Sequence, residues 1–424
     1  MSVEQLVNNW IIKAYERGAS DIHVEPSGKD RVRVRMRVDG KLRDLETVDE
    51  PRKVMARIKL MAELDVNEKD RPLDGRINFG DHSGAAGHLD LRVNSTPCLG
   101  GEKIVLRLID KNKLKLNLET LGFTSTMLKK YKPMVEGVNG LILHVGPTGS
   151  GKTTSLYAVL KTIHTPEISI QTVEDPIEYD VNGITQTNVD YEQGLTFPLV
   201  LRALLRQDPD VIMIGEIRDA ETAEIATEAA MTGHMVLSTL HTNDSVGTVA
   251  RLLDMGLAPY SIAYALRCVV SQRFASRLCV KCRRSSQPSE PIRRILGDSR
   301  PYYTAPGCAA CSRSGVKGRI PIFEFLPMTS ALRRAVYGGS NPDVLQQVAR
   351  QNGLIPLWQD AVDKIHQGMI SVEEALRVVK GVRDPQGAIK AAGRKMTQGA
   401  RRAKPARRVP ARRPARPAPR PRPR

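Results

Sequence analysis

The sequence predicts an α/β protein with a smaller N-terminal and a larger C-terminal α/β region. For the larger region, residues 141–145, 168–173 and 211–214 are short apolar runs that are typical of buried parallel strands. A Gly-rich turn follows the first of these runs and leads into a helical pattern. For the smaller region, residues 1–112 alternate short strand and helix patterns.

The N-terminal region begins with a predicted helix, in which apolar residues recur at helical spacing at Leu6, Trp10, Ile11, Ala14 and Tyr15. Residues 31–38 alternate Arg with Val or Met and end at the turn dipeptide Asp39-Gly40, which predicts a half-exposed strand entering a hairpin. A second helix is predicted at 54–64, and strands at 90–93 and 103–108. We place the N-terminal domain at 1–112 and a polar linker at 113–120.

Positive charge is concentrated at the C-terminal end of the chain. The 64 Lys and Arg exceed the 46 Asp and Glu by 18, and residues 384–424, with 14 basic residues and one acidic residue, carry +13 of that excess. A body of only +5, in a chain with only 4% aromatic residues, disfavours a surface built to bind nucleic acid. The Arg/Pro-rich tail is predicted to be disordered. The tail has three interpretations: a solvated extension, a contact for anionic lipid, or a non-specific nucleic-acid arm.

Targeting signals are missing from the sequence pattern. No apolar run approaches the roughly 20 residues of a membrane-spanning helix. Residues 1–10 lack a basic segment followed by an apolar stretch, so no secretory signal is predicted. We therefore expect a cytosolic body, and in that reducing compartment six cysteines indicate metal binding or chance rather than disulfides.

Four of the cysteines form two C-x-x-C pairs, Cys279 with Cys282 and Cys308 with Cys311, separated by 25 residues. Four thiolates suit a closed tetrahedral Zn²⁺ site, so residues 279–311 predict a structural zinc subdomain. Cys98 and Cys268 stand alone and are interpreted as core or incidental residues.

Residues 146–153 fit the pattern G-x-x-x-x-G-K-[ST] between a strand and a helix, which is the context that a phosphate-binding P-loop requires. Backbone N–H groups and the helix N-terminus would surround the phosphates of ATP. Lys152 would reach the β- and γ-phosphates, and Thr153 the Mg²⁺. The predicted nucleotide-binding residues are Gly146, Pro147, Thr148, Gly149, Ser150, Gly151, Lys152, Thr153 and Thr154.

Acidic residues follow two other predicted strands. Residues 211–214 end at Gly215-Glu216, where P-loop enzymes keep an acid for Mg²⁺ or its water shell. Glu174, Asp175 and Glu178 gather three carboxylates after the strand at 168–173. Such a cluster favours a cation or a proton transfer, for example from the water that attacks a γ-phosphate, although a solvated acidic turn is the alternative.

Five motifs in one order carry a resemblance to a known family: residues 19–26 with 38–40, 146–154, 172–179, 208–219 and 232–242. They resemble the PAS-like start, Walker A, Asp box, atypical Walker B and His box of the secretion ATPases. Members of this family power type II secretion, type IV pilus assembly (the GspE/PilB group) and pilus retraction. The resemblance implies a PAS-like N-terminal domain and a RecA-like ATPase domain over residues 121–383, with helices at its C-terminal end.

The resemblance also implies roles for single residues. Glu178 would act as catalytic base or orient the attacking water, and Glu216 would hold the Mg²⁺ shell. His234 and His241 would lie near the γ-phosphate and couple hydrolysis to movement. A lone histidine is more often structural, so these two roles rest on the resemblance.

Arg92 and Arg107 match the paired arginines that the family's N-terminal domain sends toward the nucleotide. Without the resemblance, both would be interpreted as charges on a strand surface. An arginine supplied across a domain or subunit boundary stabilises transition-state charge, which gives a physical reason for a hexamer whose domains move.

The function implied is a homohexameric, Mg²⁺-dependent motor ATPase that assembles type IV pili or type II secretion pseudopili. Its expected location is the cytoplasmic face of the inner membrane, and its partners are a platform protein and other machinery components. Retraction ATPases generally lack the cysteine cluster, so that cluster favours assembly or secretion. The alternatives are a RecA-like nucleic-acid translocase or packaging motor, and a non-catalytic, nucleotide-gated scaffold.

Three features depart from the family pattern. Assembly ATPases commonly carry an additional N-terminal domain that docks on a membrane-complex partner, whereas this sequence starts at the PAS-like region, so the pattern leaves the docking mode open. Pro198 stands where a small helix-compatible residue is usual, which is tolerable if it opens a helix. His144 is an unusual polar residue in the strand before the P-loop.

Overall fold

The computed structural model describes residues 2–28, 30–83, 88–110 and 117–379. Residues 113–116 of the predicted linker and the predicted basic tail at 384–424 lie outside the described residues. Described residues up to Gln287 and from Arg300 onward belong to one compact unit, and Pro288–Ser299 belong to another.

The N-terminal region is an antiparallel sheet of six strands in the order β3-β2-β1-β6-β5-β4, with two helices. Its elements are α1 (Val3–Glu16), β1 (Ala19–Pro26), β2 (Arg31–Val38), β3 (Lys41–Asp49), α2 (Pro51–Met61), β4 (Leu73–Asn78), β5 (Leu89–Cys98) and β6 (Gly101–Asp110). Trp10 and Ile11 of α1 and Ile58 of α2 are buried with the apolar face of the sheet, which forms a separate core.

Local sequence signals explain the ends of these elements. The Ser2 side chain accepts a hydrogen bond from the Gln5 backbone, and the Gln5 side chain accepts one from the Ser2 backbone, which completes a capping box for α1. The predicted hairpin is confirmed, because Val38 pairs with Lys41 across Asp39-Gly40. α2 begins at Pro51, earlier than predicted, since proline fits the first helical turn.

The second region is a seven-stranded sheet in the order β15-β12-β7-β11-β10-β8-β9. Its elements up to the first long strand are α3 (Ser125–Val135), β7 (Gly140–Val145), α4 (Lys152–Ile163), β8 (Ile170–Glu174), β9 (Thr185–Asn188), α5 (Phe197–Leu204), β10 (Val211–Ile214), α6 (Ala220–Met231), β11 (Met235–Leu240), α7 (Ser245–Asp254), α8 (Pro259–Ala265) and β12 (Leu266–Leu278). The three predicted parallel strands are confirmed as β7, β8 and β10.

The chain continues with β13 (Arg284–Ser286), α9 (Glu290–Leu296), β14 (Tyr302–Thr304), β15 (Val316–Pro327), α10 (Ser330–Tyr337), α11 (Pro342–Gln351), α12 (Leu357–His366) and α13 (Val372–Val379). β13 and β14 pair as a small separate sheet, and β15 pairs antiparallel with β12. Helices over 330–379 confirm the predicted helical end of the body.

Apolar side chains cover both faces of the larger sheet, so its central strands are buried throughout. Pro198 is the second residue of α5, and the Thr196 hydroxyl caps that helix, so the proline does open a helix. Among the helices of the described chain, none combines the length and the apolar character that crossing a membrane requires.

Candidate active site

A cavity of about 330 Å³ opens where the central parallel strands end. β7, β8, β10 and β11 run in the same direction, so the residues after their carboxyl ends meet at one edge of the sheet. The cavity is lined by Arg107, residues 148–154, Glu174, Asp175, Pro176, Glu178, Tyr179, Gly215, Glu216, Thr239 and His241.

The P-loop packs tightly against β12. This approach is possible because two positions of the loop are glycines, at which any side chain would clash with β12. A Cβ atom on Gly146, whose φ is 143°, would lie 2.4 Å from the Gln272 carbonyl oxygen. One on Gly151, whose φ is 88°, would lie 2.7 Å from the Phe274 ring. Glycine alone tolerates both the backbone angle and the approach, so these positions fix the loop's path around the cavity.

Lys152 is the first residue of α4, and its side chain folds back over the P-loop. Its Nζ atom donates to the Gly146 carbonyl at 2.9 Å and to the Pro147 carbonyl at 3.4 Å. Burial lowers the pKa of Lys152, and the charge of Glu216 opposes that shift. A largely buried ammonium group held on neutral carbonyls is well placed to bind an anion that enters the cavity.

Glu216 follows β10 and shares the cavity with His241. Its carboxylate accepts a short hydrogen bond from Arg218, and His241 Nε2 lies 3.3 Å from Glu216 Oε2. The Thr239 hydroxyl donates to the Gly215 carbonyl at 2.8 Å, which fixes the end of β11 against the end of β10. The structure therefore brings Glu216, His241 and Lys152 to the same cavity.

The three acids after β8 have different environments. Glu174 is buried and accepts hydrogen bonds from the hydroxyls of Tyr157 at 2.5 Å and Thr172 at 2.7 Å. Asp175 lies 3.1 Å from an Arg218 nitrogen. Only the Glu178 carboxylate is held by a residue of the N-terminal sheet. Glu174 is thus a structural acid that orders the strand end.

Arg92 and Arg107 lie directly opposite each other on β5 and β6. Arg92 donates from Nη1 to Glu178 Oε1 at 3.0 Å and from Nη2 to the Ile177 carbonyl at 2.8 Å. Arg107 donates from Nε to Asp21 at 3.2 Å, and its side chain, 61% exposed, lines the cavity. Both arginines therefore reach the candidate site from the N-terminal sheet.

The structure does not bring His234 into this cluster. His234 precedes β11, at the opposite end of the strand from His241, and its Nδ1 atom lies 3.0 Å from the Ala229 carbonyl oxygen. Because β11 is six residues long, roughly 20 Å of strand separates the two histidines. Within one chain, His234 therefore lies away from the cavity that His241 lines, and its coupling role stays a prediction.

The four cysteines of the two C-x-x-C pairs converge. Their Sγ atoms all lie within 4.8 Å of one another, with Sγ–Sγ distances of 3.9 Å for Cys279–Cys308, 3.9 Å for Cys282–Cys311 and 3.8 Å for Cys308–Cys311. Disulfide sulfurs lie about 2.05 Å apart, which excludes these pairings. A tetrahedral ion with Zn–S bonds of about 2.3 Å places its sulfurs about 3.8 Å apart, so the geometry fits zinc.

Backbone donors favour a thiolate in this cluster. The N–H groups of Cys308 and Gly315 donate to Cys311 Sγ at 3.2 and 3.3 Å. These bonds lower the pKa of Cys311 to about 6, whereas burial raises the pKa of Cys282 to about 12. The thiolate is the form of cysteine that binds a metal ion, and a thiol that ionises near neutral pH supplies it.

Two residues that shape the site are not indicated by any local motif. Gln272 and Phe274 belong to β12 and contact the P-loop across more than 100 residues of sequence. Asp21, which holds Arg107, does lie within a family motif at residues 19–26. The hydrogen bond from Tyr157 to Glu174 is likewise indicated by no motif. Only the position of Tyr157, about one turn after the start of α4, could have suggested which way its side chain points.

Comparison with known proteins decides the family. The sequence profile described as type II/IV secretion system protein matches residues 1–377. The chain belongs to this family. The resemblance drawn from the five motifs is thereby confirmed.

Individual relatives agree with the family match. The chain is 41% identical over 383 residues to the type IV pilus assembly ATPase PilB of Thermus thermophilus, covering 88% of this chain and 43% of the relative. It is 41% identical over 384 residues to the type II secretion system ATPase E of Vibrio cholerae, covering 89% and 75%. The chain thus spans less than half of the Thermus protein and about three quarters of the Vibrio protein.

Solved structures confirm the predicted fold class, a PAS-like α/β region followed by a RecA-like P-loop core. The crystal structure of the pilus retraction motor PilT with bound ADP matches with a TM-score of 0.64 at 26% identity, over 89% of this chain and 97% of that one.

Proposed function

We propose that this chain is a Mg²⁺-dependent ATPase that works as a homohexameric motor in type IV pilus assembly or type II secretion. The observation that carries the proposal is the 330 Å³ cavity in which Lys152, Glu216, Glu178 and Arg107 converge from four separate parts of the chain. That set contains a phosphate-binding cation, a metal-binding acid, an acid able to orient water, and an arginine from another domain.

In this proposal the nucleotide phosphates lie along the P-loop, with Lys152 at the β- and γ-phosphates. Thr153 and Glu216 would hold Mg²⁺, since both line the cavity and offer oxygen ligands. The ion would neutralise charge that develops on the phosphate oxygens. Glu178 would orient or deprotonate the attacking water, and Arg107 would stabilise the transition state.

Hexamer formation, peripheral association with the inner membrane from the cytoplasmic side, and contact with a platform protein and other machinery components belong to the same proposal. These parts come from the family resemblance, and the names of the relatives support only a place in pilus assembly or type II secretion machinery. Residues 384–424 carry +13, so contact with anionic lipid or nucleic acid is proposed for them on charge alone.

We also propose that Cys279, Cys282, Cys308 and Cys311 bind a structural Zn²⁺ ion. The tetrahedral spacing of the four sulfurs supports this assignment. All four positions are filled by cysteine, so the ion would have no open coordination position and no catalytic part.

ATP hydrolysis and hexamer formation can both be tested with the purified protein. We expect phosphate release from ATP that requires Mg²⁺, and a particle mass of six chains by light scattering in the presence of nucleotide. Absence of nucleotide turnover would favour the scaffold alternative, whereas turnover that depends on added DNA would favour the translocase.

Replacing Arg107 with alanine is expected to reduce turnover on the order of 100-fold while ADP affinity changes little. The reason is that Arg107 lies at the rim of the cavity, away from the P-loop contacts that hold the phosphates. The effect should be smaller than for a fully enclosed arginine finger, since the side chain is 61% exposed.

Arg31→Ala is the matched control for Arg107→Ala. Arg31 lies in the same sheet, is 66% exposed and pairs with Asp49 through Nε at 3.0 Å, much as Arg107 pairs with Asp21. Equal turnover in the two variants would remove Arg107 from the site.

Glu178→Gln is expected to lower kcat by about 10²–10⁴-fold, because the amide can no longer accept a proton from water. ADP affinity should stay close to that of the unaltered protein. Asp180→Asn, two residues away and outside the cavity lining, is the control and should retain turnover. Steady-state phosphate release measures both, and a Glu178→Gln variant as active as its control contradicts the assignment.

A further inference from the structure

Buried polar side chains connect α3 to the back of the P-loop. Tyr131 in α3 and His144 in β7 are completely buried, and the Tyr131 hydroxyl lies 2.6 Å from His144 Nε2. Gln272 in β12, also buried, lies beside the His144 ring. The Gln272 amide nitrogen donates to the Ser150 carbonyl at 2.7 Å, and its oxygen accepts from the Ser155 hydroxyl at 2.8 Å. The connection thus ends on both the P-loop and the first turn of α4.

The contact with the Ser150 carbonyl has a direct consequence for phosphate binding. In a trans peptide unit the C=O and the following N–H point in opposite directions. Because Gln272 draws the Ser150 carbonyl toward β12, the N–H of Gly151 points away from β12. Gly151 and its neighbours line the cavity, so this N–H is among the donors available to a phosphate oxygen.

The two aromatic members act as neutral groups. Burial lowers the pKa of His144 to about 3, although its contact with Gln272 opposes the shift. Burial also raises the pKa of Tyr131 well above its usual value. At neutral pH the imidazole is therefore uncharged and the phenol keeps its proton, so the pair supplies a directional hydrogen bond.

Polar groups in an otherwise apolar core cost free energy unless they are paired. β7 contains only glycine and apolar residues besides His144, and the cavity-facing acids do not contact this histidine. The Tyr131 hydroxyl pairs with His144 Nε2, whereas His144 Nδ1 has no hydrogen-bond partner among the described residues, so His144 would fix Gln272 from the α3 side by packing beside it.

We propose that Gln272 is a positioning residue for the P-loop, and that Tyr131 and His144 hold it in place from α3. The inference rests on the proposed function, since it gives a reason for the loop's orientation only if the loop binds nucleotide phosphates. The same contacts connect α3, which follows the N-terminal sheet in sequence, with the phosphate site.

The test measures affinity of the full-length chain for ADP bearing a fluorescent N-methylanthraniloyl group, with Mg²⁺, together with kcat and KM for ATP. Gln272→Met keeps the side-chain length and removes both hydrogen bonds, and should weaken ADP binding on the order of 10-fold. Tyr131→Phe removes one hydroxyl and should weaken it about threefold. In both, KM should rise more than kcat falls.

Thr227→Val is the matched control. The Thr227 hydroxyl is buried in α6 and donates to the Ala223 carbonyl at 2.7 Å, away from the P-loop. This variant removes a buried hydroxyl hydrogen bond from the same region. We expect some loss of thermal stability and unchanged ADP affinity.

The double variant Tyr131→Phe/Gln272→Met distinguishes a connected chain from separate contributions to stability. If Tyr131 acts through Gln272, the double variant binds ADP about as weakly as Gln272→Met alone, whereas independent effects would multiply to about 30-fold. Multiplicative effects, or unchanged affinity in a folded single variant, overturn the inference. Should Gln272→Met not fold, Tyr131→Phe with unaltered affinity is sufficient to overturn it.

Measurements on the unaltered protein distinguish failure of the proposed function from failure of the positioning role. If it neither binds ADP nor hydrolyses ATP, the proposed function fails and this inference fails with it. If it does both and the variants match it, the P-loop ATPase assignment stands and the positioning role of Gln272 is wrong.

Discussion

Lys152→Ala is expected to abolish measurable ATP turnover, with a loss of at least about 10²–10³-fold in kcat. Lys152 is buried in the P-loop, and its ammonium group is held by the carbonyls of Gly146 and Pro147 on the cavity side. No solvent molecule that replaced it would bring a fixed positive charge to the γ-phosphate. Removal of the side chain therefore removes stabilisation of the charge that develops during phosphoryl transfer.

The control for Lys152→Ala is Lys161→Ala, at the exposed end of the same helix. Both variants shorten a lysine in α4, but only the first changes the cavity. Phosphate release is measured at saturating ATP and Mg²⁺, and circular dichroism checks that both variants are folded. Retained turnover in a folded Lys152→Ala variant would exclude the enzyme assignment.

The phosphate site could be predicted because its determinants are local. Residues 146–153 contain both the glycines that shape the loop and the lysine that closes it, and the strand before them has a clear apolar pattern. The convergence of Glu216 with this loop also followed from sequence, since carboxyl ends of parallel strands meet at one edge.

The support behind the loop could not be predicted in the same way. Gln272 and Phe274 lie more than 100 residues later, in a strand whose partners are β7 and β15. Their importance depends on which strand is placed beside the P-loop, and that is a property of the sheet order. His144 was visible as an anomaly, but Tyr131, which pairs with it, and Gln272, which lies beside it, come from two other elements.

The cluster after β8 illustrates a further limit of sequence patterns. Glu174, Asp175 and Glu178 are indistinguishable by residue type, yet their partners differ completely. Glu174 faces the core side of α4, whereas Glu178 contacts the N-terminal sheet. Spacing gives the number of carboxylates, and only packing decides which of them is open to a substrate.

The pairing of Glu178 with Arg92 connects the two sheets at the site. A carboxylate that accepts a hydrogen bond from a guanidinium at 3.0 Å is engaged, so it has one oxygen fewer to offer to water. Movement of β5 relative to the segment after β8 would free both groups. In the proposed motor, the position of the N-terminal domain therefore influences whether Glu178 can act on water. The large effect expected for Glu178→Gln depends on the same carboxylate.

Loss of zinc is expected to unfold the region around residues 279–315. Four cysteines at tetrahedral spacing close the segment between β12 and β15, and the Cys279 N–H donates to the Gly315 carbonyl at 2.9 Å. Structural zinc ions contribute on the order of 10 kcal/mol of apparent folding free energy in small zinc domains. The regular structure within this segment is small, since β13 and β14 contain three residues each and α9 contains seven.

We therefore expect close to one zinc per chain by elemental analysis of the purified protein, and most of that zinc to be lost from Cys311→Ser. The variant should be cleaved by protease within residues 279–315 at concentrations that leave the unaltered protein intact. Cys98→Ser is the matched control, because it makes the same substitution at an exposed cysteine outside the cluster and should keep its zinc. Equal zinc content in the two variants, or none in the unaltered protein, would contradict the metal assignment. The sulfur spacing would then reflect packing of the two C-x-x-C turns alone.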